Sequence, residues 1–304
     1  MSKSEYFDGV KKIEYDDFQN PEFCAWFFAE CSRLAYRPKL KGAKEFRRIG
    51  FTTHNFYDVE GAQCHIAKNS DTIIIAFRGT EPKQFSDIKA DLMAWKKRSR
   101  TAGQVHAGFR GEVDKLWADI RVSLGRNGGR DVYVCGHSLG GAMATICASR
   151  LREEPKGNVT GLYTYGSPKV GGKLFVWGID ELEHYRFVNN NDMVTRLPLW
   201  IMGYRHHGNL TYINHYGNIR SMTSYQRFKD KMRGRWAAIR KLQFFDGIRD
   251  HDIKKYCKKL KDQIRGRWCA LRKFQMFDGI RDHDINKYCS KLKTMVKVEP
   301  TFGD

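Results

Sequence analysis

Ser138 stands in Gly136-His137-Ser138-Leu139-Gly140, the Gly-x-Ser-x-Gly arrangement in which a serine can be presented as a nucleophile. The chemistry such a serine serves is acyl transfer. Its hydroxyl attacks a carbonyl carbon, a base takes the proton, and aligned N–H donors hold the developing oxyanion. The flanks fit that use. A short apolar run, Val132 to Cys135, leads into the motif, and a small-residue helical pattern (Ala142, Met143, Ile146, Cys147) leads out. Strand, tight turn and helix follow in order, so the turn strains Ser138 and pushes its hydroxyl out at the sheet edge. Glycine is required at 136 and 140 because side chains there would collide across the turn. The positive end of the helix faces the place where an oxyanion would form.

A serine nucleophile needs a base, and His137 points away from its neighbour. His251 and His283 are the downstream candidates, each on a loop that precedes an amphipathic helix. The third member is predicted at Asp192, in Asn189-Asn190-Asn191-Asp192. Asn and Asp suit any turn, but this turn follows a strand and lies between the serine and the histidines, in the chain order Ser…Asp…His.

The elements that must position these residues are legible in outline. Asp71 to Phe77 is a near-continuous β-branched run and reads as a central strand buried on both faces. Runs of the same character occupy 131–135, 160–165 and 185–189, with edge strands at 51–57 and 62–68. Helical periodicity covers 23–36, 111–124 and 141–151. Residues 39–50 read as a basic connection. Strands alternating with helices predict a mostly parallel α/β sheet, whose site lies outside the carboxyl ends of the strands. Thr80, Ser138 and Asp192 all fall there. His206 and His207 are adjacent before a β-run and point to opposite faces, with no Cys or carboxylate spaced to complete a metal site, so they read as structural.

The chain has 304 residues, 41% of them hydrophobic, and a net charge of +20. That charge favours an anionic partner such as a membrane surface. No apolar stretch resembles a signal peptide or a transmembrane helix, and the cysteines read as small core residues, which together predict an intracellular, cytoplasmic setting. Beyond residue 226 the composition turns basic and a 32-residue repeat appears, with Gly234 recurring as Gly266 and Asp250-His251-Asp252-Ile253 as Asp282-His283-Asp284-Ile285. Apolar residues at Ile253, Tyr256, Cys257 and Leu260 predict a helix capped by Asp252. A hydrolase domain is expected over 1–264 and a duplicated, basic helical segment over 265–304.

Ala76-Phe77-Arg78-Gly79-Thr80, Val105-His106-Ala107-Gly108-Phe109, Gly136 to Gly141, Tyr165-Gly166-Ser167-Pro168-Lys169-Val170-Gly171, Asn191-Asp192-Met193-Val194 and an Asp-His pair together resemble the fungal-lipase-like (class 3 lipase) family, in the family's order. The resemblance implies an α/β-hydrolase fold and a serine carboxylic ester hydrolase acting on acyl esters of glycerides or related lipids. It implies Ser138 as nucleophile, Asp192 as acid, His251 as base by spacing with His283 as the alternative, and Thr80 with the Leu139 N–H as oxyanion hole. His106 matches a position of structural character. The segment 81–100 falls where the family carries a lid. Acyl transfer of this kind needs no metal or organic cofactor. The competing readings are a phospholipase or acyltransferase of the same fold, and a basic membrane- or nucleic-acid-binding protein on an inactive scaffold. No nucleic-acid motif supports the last.

Overall fold

The computed structural model describes residues 5–79, 95–125, 128–154, 159–214, 216, 218–219, 226 and 250–264. The chain divides into two units, Met1–Ile264 and Arg265–Asp304. Thr80, most of the segment 81–100, and the whole second copy of the repeat with His283 lie outside the described residues.

Among the described residues, seven strands form the main sheet. In chain order they are β1 (Thr53–Val59), β2 (Ala62–Lys68), β3 (Thr72–Phe77), β6 (Asp131–His137), β7 (Val159–Tyr165), β8 (His184–Asn189) and β9 (Asn209–Ile213), and they are adjacent in that order. The β1–β2–β3 pairs are antiparallel, and every pair from β3 to β9 is parallel. Two short strands, β4 (Lys96–Arg98) and β5 (Gln104–His106), pair separately as a hairpin. Among the described residues, no helix is long and apolar enough to cross a membrane.

Period-two alternation divides each central strand between two cores. Ile74, Ala76, Tyr133 and Cys135 face one side, where α1 (Pro21–Leu34) packs with Phe27 and Phe28. Ile73, Ile75, Val132 and Val134 face the other, against α3 (Ala107–Leu124) and α4 (Leu139–Glu153). Both faces are covered, which is why these strands read as continuous apolar runs. The α1 face is aromatic, with Phe28 stacked on Tyr163 at 4.3 Å and Tyr163 on Tyr185 at 4.9 Å.

Residues 39–50 are not a simple connection. Lys39–Arg48 form a helix, α2, with Pro38 as its cap residue. Its charge hides a narrow buried stripe. Gly42, Glu45 and Phe46, at spacing i, i+3, i+4, are the buried residues, and Glu45 is held by Lys41 and Arg48 at 3.1 Å each. His106 caps α3, its Nδ1 accepting from the Phe109 N–H at 3.4 Å while its ring stacks on Phe109.

Several histidines are buried. Burial holds His65 near a pKa of about 3, and the same cause pushes His137 and His184 well below the usual value. The unfolded chain takes up protons at these positions below about pH 6.5, whereas the folded chain does not. Stability is therefore complete above that pH and falls on acidification. Each such histidine adds a slope of about 1.4 kcal/mol per pH unit. Thermal melts are expected to show a steep drop in Tm between pH 6.5 and 4.5. A flat profile would contradict neutral burial.

Candidate functional site

The motif begins where β6 runs out. Ser138 adopts φ 58° and ψ −129°, outside the ordinary regions for a side-chain-bearing residue. The turn closes because Gly136 has no side chain. A Cβ there would overlap the Gly140 carbonyl directly. Neighbouring strands fix the bend further, since the Ser138 N–H donates to the Tyr165 carbonyl at 2.9 Å. Leu139 opens α4, so its N–H belongs to the first turn, where no intrahelical acceptor exists. Gly79 abuts this turn, with a Cβ there reaching within 2.5 Å of the His137 carbonyl and 3.3 Å of Gly140 N. The end of β3 thus passes directly beside the elbow.

Asp192 lies three residues past the end of β8 and is buried. His251 reaches it from the loop before a helix, α5, over 253–264, whose first turn Asp252 caps by accepting the Lys254 N–H on Oδ1 at 2.9 Å. The His251 Nδ1 donates to both Asp192 oxygens at 3.0 Å. With Nδ1 committed to the carboxylate, Nε2 is the nitrogen able to exchange a proton with Ser138. Gly166, at φ +59°, makes room for this pair. A Cβ there would stand 2.6 Å from Asp192 Oδ2 and 2.8 Å from His251 Nδ1. Ser138 Oγ is buried and has no hydrogen-bond partner among the described residues. The Asp–His contact is thus formed while the Ser–His contact is not, a state common before substrate binds.

Four residues not anticipated from the sequence hold this arrangement. The Tyr256 hydroxyl donates to Asp192 Oδ2 at 2.7 Å and accepts the Asn189 N–H at 2.9 Å. Burial and the nearby Asp192 charge push Tyr256 well above its usual pKa, so it stays a donor. Asp250 clasps the turn before Asp192, accepting from Asn190 Nδ2 at 2.9 Å and from the Asn191 N–H at 3.3 Å. His137 holds the base segment. Its Nε2 donates to the His251 carbonyl at 2.6 Å, which makes Nδ1 the acceptor for the Tyr36 hydroxyl at 2.8 Å. Burial keeps His137 neutral, as that tautomer requires. His206 and His207 serve structural contacts, to the Thr195 carbonyl at 2.7 Å and to His184 at 3.0 Å.

Tyr256→Phe keeps the ring and removes one donor to a charged acceptor. We expect kcat on a soluble ester to fall about tenfold with KM unchanged, alongside a stability loss of about 1–3 kcal/mol as the Asn189 N–H loses its acceptor. Steady-state kinetics check this, and an unchanged kcat would reduce Tyr256 to packing.

Comparison with known proteins gives a consistent picture. Residues 74–202 match the profile of the family described as Lipase (class 3). The chain is 32% identical over 185 residues to toxin TseL of Vibrio cholerae, covering 47% of this chain and 29% of that protein. It is 39% identical over 108 residues to secreted mono- and diacylglycerol lipase 1 of Fusarium solani, covering 34% and 32%. The chain therefore spans about a third of the length of these curated relatives. A solved structure described as a serine protease triad forming the catalytic centre of a triacylglycerol lipase aligns with TM-score 0.54 and 25% identity, over 64% of this chain and 80% of that one.

Proposed function

We propose that this chain, a member of the class 3 lipase family with an α/β-hydrolase fold, is a serine carboxylic ester hydrolase cleaving acyl esters of glycerides or related lipids. The observation that carries the reading is the buried Asp192–His251 pair, formed at the same sheet edge as the strained Ser138.

In this reading His251 Nε2 takes the Ser138 proton as Oγ attacks the ester carbonyl. Asp192 fixes the tautomer and stabilises the imidazolium. The Leu139 N–H receives the oxyanion, a donor worth about 3 kcal/mol in comparable sites, and Thr80 is assigned as its partner from the sequence. The imidazolium then protonates the leaving alcohol, and water releases the acyl group by the same route in reverse. Tyr256, Asp250 and His137 act by holding Asp192 and His251 in place. Phospholipase or acyltransferase chemistry would use the same residues with a different acyl acceptor or head group. The basic composition supports contact with an anionic membrane surface, and the cytoplasm is the setting we assign.

The test is hydrolysis of p-nitrophenyl esters of increasing acyl length. Turnover with a burst of p-nitrophenol is expected, as an acyl-enzyme accumulates. No release from any ester would contradict the reading and favour the binding-protein alternative.

A further inference from the structure

Three arginines converge on one carboxylate where α3, α4 and the tip of the β4–β5 hairpin meet. Arg100 Nε lies 3.0 Å from Asp114 Oδ1, Arg110 Nε 3.4 Å from Oδ2 and Arg150 Nη2 2.6 Å from Oδ1. Among the described residues, no other carboxylate pairs with any of the three. Three guanidiniums against one carboxylate leave the cluster with a net charge of +2. Positive charge is crowded here. Burial lowers the Arg150 pKa, and while Asp114 opposes that shift, Arg100 adds to it.

Asp114 does not satisfy them, because three guanidiniums carry far more N–H donors than one carboxylate accepts. The Arg150 side chain is 3% exposed and lies over the Trp117 ring at 5.3 Å, yet its Nε and Nη1 have no hydrogen-bond partner among the described residues. Arg110 Nη1 donates to the Arg98 carbonyl at 2.8 Å, while its buried Nε has no acceptor in line with its N–H. Buried donors left in this way cost stability, charged ones most. Arg100 is the adjustable member. It sits on the loop between β4 and β5 with its side chain 52% exposed, whereas Asp114 and Arg110 are fixed on α3 and Arg150 on α4.

We propose that Arg100, Arg110 and Arg150 form a binding site for a phosphate group beside Asp114, taken as the free ion or as a small phosphate monoester. An outward turn of Arg100 opens the buried donors, and its return closes on the anion. Guanidiniums pair with phosphate oxygens through parallel N–H···O bonds. A phosphate monoester carries about −1.5 to −2 at neutral pH, which matches the charge of the cluster, whereas a carboxylate ligand supplies half of it. The ester chemistry uses none of these residues, so occupancy is measured without turnover and does not depend on the catalytic reading.

The experiment is thermal melting of the full chain in chloride, inorganic phosphate and glycerol phosphate at equal ionic strength and pH. Tm is expected to rise by about 3 °C or more in about 20 mM inorganic phosphate relative to chloride. A larger rise in glycerol phosphate identifies a monoester as the ligand and a smaller one the free ion, and either order supports the site. Arg100→Ser removes a half-exposed side chain, so the fold and the hydrolysis of a soluble short ester are expected to stay within about twofold of the wild type, while most of the phosphate response is lost. Asp114→Asn is expected to melt lower in chloride and to gain about twice the wild-type rise in phosphate, as the anion replaces the lost charge. Phosphate also stabilises folded chains by exclusion from their surface, an effect common to all three chains. An absent rise, an equal rise in the wild type and Arg100→Ser, or a rise in Asp114→Asn no larger than in the wild type would each overturn the proposal.

Discussion

Ser138→Ala is expected to lower kcat on a soluble short ester by a factor on the order of 10⁶, the scale seen when a serine nucleophile is removed from a working triad. The oxyanion donors and the binding surface remain, so a residual rate above that of water persists. The fold is expected to persist as well. Ser138 Oγ has no hydrogen-bond partner among the described residues, so truncation strands no group. Alanine tolerates the positive φ no worse than serine does. A melt superimposable on the wild type, together with lost turnover, is the expected pair of results. Retained turnover would place the chemistry elsewhere.

His251→Ala is expected to cost on the order of 10⁶ in kcat as well, because nucleophile and base act as a unit. His283→Ala is expected to leave the rate within about twofold. The contrast rests on placement, since among the described residues His251 is the histidine that meets Asp192, at 3.0 Å. Loss of His251 leaves Asp192 two donors, the Tyr256 hydroxyl at 2.7 Å and the Val194 N–H at 3.0 Å, so the acid site does not collapse. The hydrogen bond that His137 makes with residue 251 is to the backbone carbonyl and survives the change, although the ring contact at 4.5 Å is lost. An inactive His283→Ala beside an active His251→Ala would assign the base to the second copy.

Much of this was readable in the sequence because it depends on local rules. The elbow needs glycine at fixed offsets, the central strands are apolar on both faces, and Asp192 follows a strand end. The amphipathic stripe at Ile253, Tyr256, Cys257 and Leu260 is buried as its spacing requires. What local rules miss is contact between distant residues. Tyr256 at core spacing reads as packing, and its hydroxyl matters only because α5 docks with that position against Asp192. The chain from Tyr36 through His137 to the His251 carbonyl joins three segments no pattern connects. Helix α2 was hidden by its own lysines and arginines, which leave Phe46 as its buried apolar anchor.

The central claim is that Ser138 is nucleophilic because His251, oriented by Asp192, accepts its proton. A p-nitrophenyl alkylphosphonate tests it directly, since attack displaces p-nitrophenol and leaves a stable phosphonyl serine. Intact-mass and peptide mass spectrometry are expected to find one adduct per chain, on Ser138, formed at a rate that His251→Ala abolishes and His283→Ala leaves unchanged. An adduct on any other residue, or equal labelling of the His251→Ala chain, would contradict the account.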